Sequence, residues 1–197
     1  LARDDPHAAV SLLARAAALL PGDPALLVEL AEAHFETGDL AEAERVNGEA
    51  AAAARRSGDT RSGLAAQLSS TMIGLLVRSE GGADEIAAEV SRALPTFEQA
   101  GDDATVARLL SRLAAAYWWR CRVVPMEAVL ERALEHAGRA GDDRQRADIA
   151  VRLGIAAVVG PLPVPDARAR LDQLLDETAD ETAARGLLLV SSGLLAA

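Results

Sequence analysis

The sequence predicts an all-α fold built as an array of short antiparallel helix pairs, and three observations support this. Four Gly-Asp steps, at Gly38-Asp39, Gly58-Asp59, Gly101-Asp102 and Gly141-Asp142, each lie between two alanine- and leucine-rich stretches. Half of the residues are apolar but only 3% are aromatic, which favours close-packed helices over aromatic-rich strands. Apolar residues recur at helical spacing between the steps. Such an array spreads its core along an α-solenoid.

Proline and glycine indicate where the helices begin and end. Asp5-Pro6 and Asp23-Pro24 each combine an N-cap carboxylate with a proline at the first helical position. A glycine after a periodic stretch is typical of a helix C-terminus. Applied along the chain, these signals predict helices over about 6–20, 24–37, 40–56, 64–78, 84–99, 103–120, 125–140, 143–159, 166–177 and 182–195. Each pair of helices takes up roughly 40 residues, and no change in composition divides the chain, so we expect a single domain over residues 1–197.

Two segments are predicted to interrupt the helices. The glycine-rich stretch at 79–82 breaks one helical pattern before the next begins. The stretch 160–165 contains three prolines, which remove backbone donors and hold the preceding residues extended, so we expect a stiff connector of about six residues. This connector would form a rigid turn between packed helices or, alternatively, a hinge or docking strip.

Charge and composition exclude several functions. The net charge is -10 and all 20 basic residues are Arg. Without Lys, this segment has neither a P-loop lysine nor a Schiff-base nucleophile. An acidic chain lacking a clustered basic surface also argues against a nucleic-acid partner. No apolar run approaches the roughly 20 residues that span a bilayer, so we expect no membrane insertion.

The single cysteine, Cys121, cannot form an internal disulfide, and we expect it to fill space in a helical core within a reducing, cytoplasmic compartment. The chain begins at Leu1 rather than Met and ends on the apolar residues 193–197. A free-standing solenoid would carry a polar capping helix there. We therefore expect a fragment of a longer multidomain polypeptide.

No motif predicts catalysis, a cofactor or a metal site. His7, His34 and His136 fall on three different predicted helices, and none belongs to a pattern that places two metal ligands on one helix face. No nucleophile elbow, dinucleotide-binding glycine loop or C-x-x-C pair occurs. The sequence therefore predicts a non-enzymatic segment that binds proteins.

The stretch Leu30–Ala43 resembles the tetratricopeptide repeat. Ala31 is the small residue where two helices of that repeat cross, His34 is bulky, Gly38 is the turn glycine and Ala43 is again small. A second copy resembles the repeat over 113–137, although Cys121 replaces the turn glycine and Met126 the small residue. The resemblance implies a right-handed superhelical array of antiparallel pairs that serves as a protein-interaction scaffold.

Nearly the whole chain is similar to the C-terminal helical-repeat region of large bacterial signalling proteins with a class III nucleotide cyclase domain and an AAA-type ATPase module. The Gly-Asp-Asp turns, the string Glu-Arg-Ala-Leu-Glu-His-Ala at 131–137 and the connector Gly-Pro-Leu-Pro-Val-Pro-Asp at 160–166 carry this similarity. It implies a regulatory arm that contacts a protein or a neighbouring domain. Related repeats also occur in transcription regulators of the maltose-activator and LuxR type, which leaves an effector-sensing domain as the alternative.

The cluster Tyr117-Trp118-Trp119 is the sharpest candidate for a partner site. Consecutive helical positions diverge by about 100°, so the three rings cannot all face one core. Trp118 or Trp119 would then project into the groove and anchor a partner, or both would pack against neighbouring helices. Self-association through residues 187–195 is a further alternative.

In tetratricopeptide arrays the first helix of each pair lines the concave groove. By this resemblance the groove would be mostly apolar, and Arg112 and Arg152 would partly replace the lysines that clamp a peptide carboxylate in chaperone-binding relatives. The groove positions implied are Val28, Phe35, Leu68, Met72, Leu75, Trp118, Trp119, Val151, Ile155 and Val158.

Overall fold

The computed structural model describes residues 6–78, 83–178 and 182–195, and the regular structure in these residues is entirely helical. This confirms the all-α class. The predicted break at 79–82 and the N-cap at Asp5 lie outside the described residues. The helices are α1 (Pro6–Leu19), α2 (Pro24–Glu36), α3 (Leu40–Ser57), α4 (Thr60–Arg78), α5 (Ala83–Gln99), α6 (Asp103–Trp119), α7 (Val123–Ala140), α8 (Asp143–Val159), α9 (Val164–Glu177) and α10 (Thr182–Leu194).

The chain divides into two compact units, Leu1–Glu89 and Val90–Ala197, with the boundary inside α5. In the first unit, α2 packs on α1, α3 and α4, and α3 also packs on α4. In the second unit, α7 packs on α6 and α8, and α8 also packs on α9 and α10. Each helix thus contacts mainly helices close to it in the chain, as the sequence predicts. A single domain over the whole chain stays a prediction.

Alanine dominates the core of the first unit. Leu27, Leu30 and Val46 supply the larger side chains, and Ala31 and Ala50 are fully buried where helices meet. Because an alanine side chain is one methyl group, helix backbones can approach closely and bury surface without aromatic residues. This accounts for a stable apolar core in a chain with few aromatic residues.

The second unit combines leucine with one very close helix approach at Gly154 of α8. A Cβ atom added at Gly154 would lie 2.5 Å from Leu188 Cδ2 and 3.2 Å from Leu171 Cδ2. Both leucines are fully buried, so neither has free space into which to move. Gly154 therefore permits α8 to contact α9 and α10.

Each Gly-Asp step closes one helix and opens the next. At the first step Gly38 adopts φ +79°, and the Asp39 amide donates to the carbonyl of His34 at 3.0 Å, closing α2 in a Schellman motif. The carboxylate of Asp39 then accepts from the Glu42 amide at 3.3 Å as the N-cap of α3. The other three steps repeat both bonds: the C-terminal bond measures 3.0–3.1 Å and the N-cap bond 2.9–3.2 Å.

A fifth turn of the same geometry lacks both residues. Between α6 and α7, Cys121 adopts φ +53° and the Arg122 amide donates to the Tyr117 carbonyl at 2.9 Å. Arg122 makes no side-chain cap bond. The expectation that Cys121 fills the core is wrong, because its side chain is exposed on this left-handed turn. The turn is nevertheless as tight as the glycine turns, and Met126 is buried behind it.

Three predicted helix boundaries need correction. Helix α4 begins at Thr60 rather than at 64, because Asp59 accepts hydrogen bonds from the Ser62 amide and hydroxyl at 3.1 Å and 2.6 Å. Helices α7 and α9 begin two residues before their predicted starts. In α9 this places Pro165 inside the first turn, where its missing N–H has no intrahelical partner to lose. The connector is correspondingly shorter than six residues.

We expect Cys121→Gly to stabilise the second unit by about 0.5–1 kcal/mol. Glycine removes the steric cost of a left-handed Cβ residue, about 1–2 kcal/mol, and returns part of it as backbone entropy in the unfolded chain. Urea denaturation followed by tryptophan fluorescence measures this, since both indoles lie in this unit. The matched change Gly141→Ala, at φ +68° with open space around it, should destabilise by about 1 kcal/mol. A less stable Cys121→Gly would contradict the prediction.

Gly154→Ala should destabilise the second unit by about 1–3 kcal/mol, although alanine has the higher helix propensity, because its methyl group overlaps Leu188 and Leu171. The control is Gly138→Ala in α7, where the added Cβ meets only Arg146 Nε at 3.9 Å. That variant should be stabilised by up to about 1 kcal/mol. Similar urea midpoints for the two variants would show that the packing around Gly154 can accept a methyl group.

Candidate functional site

A pocket of about 260 Å³ opens between helices α6, α7 and α8 of the second unit. Buried Met126 and Leu130 of α7 form its floor, while partly exposed Trp118 of α6 and Ile155 of α8 form its walls. We call this pocket the α6–α8 groove, and its lining residues are Ala114, Ala115, Trp118, Met126, Leu130, Arg152 and Ile155.

Helical spacing places these side chains on the groove. Ala114 and Trp118 are four residues apart on α6, and Arg152 and Ile155 are three apart on α8, so each pair shares a helix face. Ala114 and Ala115 leave space because their side chains are short, and the indole of Trp118 stands beside that space. The result is an apolar depression with one aromatic wall.

Arg152 is the one charged residue that lines the groove. Its Nη2 atom lies 3.0 Å from Asp148 Oδ2, one helical turn earlier on α8, and both side chains are partly exposed, by 40% and 57%. Exposed pairs of this spacing contribute only about 0.3–0.5 kcal/mol. The guanidinium group can therefore take on a second acceptor at little cost.

The three consecutive aromatic residues point in different directions, as helix geometry requires. Trp118 is 46% exposed and lines the groove, whereas Trp119 is 64% exposed and does not line it. Tyr117 lies under the guanidinium group of Arg122, whose Cζ is 5.4 Å from the ring centroid. Both indoles are therefore accessible, and Trp118 is the one placed against an apolar depression.

The other predicted groove residues are distributed differently. Leu68 and Met72 are 5% and 6% exposed, so the expectation that they line an open surface is wrong; their side chains fill the core. Val28 is likewise buried. Phe35, Arg112, Val151 and Val158 are half-buried and do not line the α6–α8 groove, and the side chain of Leu75 lies outside the described part. The groove thus unites Trp118, Ile155 and Arg152 with alanines that the resemblance did not single out.

A second depression, of about 510 Å³, lies in the first unit among α1, α2 and α3. Its apolar side includes Leu27 and Leu30, and its polar side includes Glu42, Arg45 and Glu49 of α3. Arg45 Nε donates to Glu42 at 2.9 Å and the same guanidinium group also bonds Glu49, and the bond from Arg45 lowers the pKa of Glu42 below its usual value. These polar groups already satisfy one another, which leaves less of their bonding capacity for a ligand.

A cluster of charged groups ties α6 to α7 at the opposite end of α6 from Trp118. Asp103 Oδ1 lies 2.6 Å from His136 Nδ1 and 3.1 Å from Arg139 Nε. The bond from His136, followed by the one from Arg139, lowers the pKa of Asp103 below its usual value. The carboxylate thus helps to hold together two of the three helices that form the groove.

The first third of the chain matches the model of a known family. Residues 1–68 match the family model of the Tetratricopeptide repeat, which covers α1 to α3 and the first part of α4, about a third of the chain. Together with the packing of each helix on its neighbours, the match supports a tetratricopeptide-like helical-repeat fold. No curated protein matches the chain. The α6–α8 groove lies beyond the matched segment.

Two further properties concern the described residues alone. Within 6–78, 83–178 and 182–195, no group of three or more His, Cys, Asp or Glu side chains is arranged to hold a metal ion. None of the helices in this part of the chain is both long and apolar enough to cross a membrane.

Asp103→Asn should destabilise the second unit at pH 7 and reduce the dependence of its stability on acid. Because the folded-state pKa of Asp103 is lowered, its stabilisation is present above the ordinary Asp pKa of about 3.9 and is lost as pH falls through the lowered value. Urea midpoints of wild type and variant should therefore differ at pH 7 and converge towards pH 2. Asp143→Asn, which changes a more exposed carboxylate on α8, is the control. A difference between wild type and Asp103→Asn that stays constant with pH would contradict the assignment.

Proposed function

We propose that this chain is a non-catalytic protein-docking module and that the α6–α8 groove is its partner site. The observation that carries this is the 46% exposed indole of Trp118 beside an apolar depression of about 260 Å³. Exposed tryptophans next to small apolar pockets are enriched among residues that dominate binding energy. The match of residues 1–68 to the Tetratricopeptide repeat supports protein interaction in general, since such repeats mediate contacts between proteins.

The size and chemistry of the groove favour a protein side chain over a cofactor. Small-molecule sites usually enclose about 300–1,000 Å³ and bury most of their ligand. The α6–α8 groove is smaller, open on one side and lined almost wholly by carbon, which suits one or two bulky apolar side chains. The half-buried Ala115 would allow the partner backbone to approach α6 closely.

We also propose that the module is the regulatory arm of a cytoplasmic bacterial signalling protein of the cyclase and ATPase type. The Gly-Asp-Asp turns and the proline connector, through which the chain resembles the repeat regions of such proteins, support this. The partner would then be a separate protein or a neighbouring domain of the same polypeptide. In this arrangement the arm transmits an input by docking, and the chemistry belongs to the other domains.

The depression in the first unit favours a second candidate function. Its larger volume and mixed polar and apolar lining suit a small effector, as in the transcription regulators of the maltose-activator and LuxR type. A thermal-shift screen with sugars and nucleotides tests this, because a ligand that binds the folded state raises the unfolding temperature. Stabilisation that is abolished by Arg45→Gln would support the effector site, and no shift with any compound would count against it.

The docking proposal is tested by selecting a displayed library of random peptides against the 197-residue chain. We expect the recovered peptides to contain a bulky apolar residue and to bind Trp118→Ala about 30-fold more weakly, as for the loss of a hot-spot residue of about 2 kcal/mol. Trp119→Ala removes a more exposed indole that does not line the groove, and it should weaken binding much less. Circular dichroism verifies that both variants remain helical. Peptides whose affinity does not depend on Trp118 would show that this groove is not the docking site.

A further inference from the structure

Two of the stretches that contribute to the α6–α8 groove contain no acidic residue. Residues 104–126 and 149–165 include neither Asp nor Glu, whereas the chain as a whole has 30 acidic residues, about one in every seven. The same two stretches contain five arginines, at Arg108, Arg112, Arg120, Arg122 and Arg152. In a chain of net charge -10, this is a local reversal of charge.

The fold brings these two stretches together. Residues 104–126 comprise most of α6, the left-handed turn and the start of α7, and residues 149–165 comprise most of α8, the proline connector and the first residues of α9. All of them belong to the second unit, and α6, α7 and α8 line the groove. Among the lining residues, Arg152 pairs with Asp148, while on α7 Glu127 and Glu131 follow the lining residues Met126 and Leu130, and Glu131 pairs with Arg170. The groove therefore combines an apolar floor with one guanidinium group and with two contributing stretches that carry arginine but no acidic residue.

Of the five arginines, Arg152 is the one that lines the pocket. A guanidinium group presents several N–H donors in a planar fork, and a carboxylate accepts two of them at once. The existing bond to Asp148 joins Nη2 to one oxygen atom within a partly exposed pair. Arg152 can therefore share its remaining donors with an incoming carboxylate, and it does so next to Ile155, one turn further along α8.

From these observations, and resting on the docking function proposed above, we propose that the α6–α8 groove binds an acidic amphipathic segment of a partner protein. A bulky apolar side chain of that segment enters between Trp118 and Ile155, and a side-chain carboxylate about one helical turn away bonds Arg152. Residues three or four apart on a helix share a face, so a partner helix can present both groups together.

Two other occupants fit the groove less well. The exposed apolar face of α10 in a second copy, with Leu187, Val190 and Leu194, has no Asp or Glu side chain to offer Arg152. A nucleic acid would require several phosphate contacts, whereas one guanidinium group lines the pocket and the chain has a net charge of -10. The charge and the apolar floor together favour a segment that has both acidic and apolar side chains.

The first test is the composition of the peptides whose binding requires Trp118. We expect Asp or Glu to be enriched three or four residues from the bulky apolar residue. Binding peptides that depend on Trp118 but are neutral or basic would overturn this inference while leaving the docking function intact. If no recovered peptide depends on Trp118, the docking function fails and the inference fails with it.

The second test uses the strongest recovered peptide, synthesised with both termini blocked, on the full chain by fluorescence anisotropy. Replacing its acidic residue with the corresponding amide should weaken binding about tenfold, the value of one hydrogen bond between charged groups. Arg152→Gln should cause a similar loss of affinity for the acidic peptide, and the amide peptide should bind Arg152→Gln and wild type with equal affinity. Arg146→Gln is the matched control, because Arg146 lies on the same helix, pairs with Asp143 and does not line the groove.

Three results would overturn the assignment. The first is an equal loss of peptide affinity in Arg152→Gln and Arg146→Gln, which would show that the effect comes from the overall charge of the chain. The second is strong binding that requires a free peptide C-terminus, since the carboxylate is then not a side chain. The third is displacement of the acidic peptide by a thymidine oligonucleotide at lower concentration than by unlabelled peptide, which would indicate a nucleic-acid surface. Affinity of the acidic peptide should also fall with added salt, whereas affinity of the amide peptide should not.

Discussion

The left-handed residue at each tight turn is the constraint on which the rest of the structure depends. A helix end leaves carbonyl and amide groups without intrahelical partners, and these groups must be satisfied before helices can pack closely. At each Gly-Asp step the glycine takes a positive φ, and the aspartate amide closes the old helix while its carboxylate opens the new one. One residue thus belongs to the end of one helix and the start of the next, so the chain reverses within a few residues. Because these turns are short, successive helices lie side by side and can pack closely.

Small side chains then determine how closely the helices approach. Alanine at the crossings brings backbones together, and Gly154 shows the limit, where not even a methyl group fits beside Leu188. The same chemistry has a different effect at the surface. At the groove, buried Ala114 and half-buried Ala115 of α6 have short side chains that leave space beside Trp118. The groove is therefore a place where short side chains leave an open space between α6, α7 and α8, and Trp118 stands at its edge.

Local signals in the sequence predicted most of the fold, and side-chain environment was harder to predict. The N-cap aspartates and turn glycines gave the helix order because their effect depends on a few neighbouring residues. The start of α4 was predicted too late because an Asp59 cap bonded to Ser62 was not recognised. Cys121 was misplaced because a non-glycine residue with positive φ is uncommon, although its position in the repeat pattern already marked the turn. The burial of Leu68 and Met72 depends on tertiary packing, which an apolar face does not specify.

Acidic residues are distributed unevenly along the chain, and their positions can be compared with the needs of the fold and of the groove. Acidic residues at N-caps bond the first amides of the helices, and those at solvent-facing positions keep an alanine-rich array charged. Helix α7 forms without a side-chain cap bond, so a capping aspartate is not needed at every turn. Burial accounts for much of their absence over 104–126 and 149–165, since many residues of α6 and α8 lie in the core, but Trp118 and Ile155 occupy exposed positions in these stretches. A carboxylate at position 155, about one helical turn from Arg152 on the same face of α8, would compete with an incoming acidic side chain for the guanidinium group. The apolar side chains at these exposed positions, beside an arginine that pairs only with an exposed Asp148 of its own helix among the lining contacts, are what recognition of an acidic amphipathic segment requires.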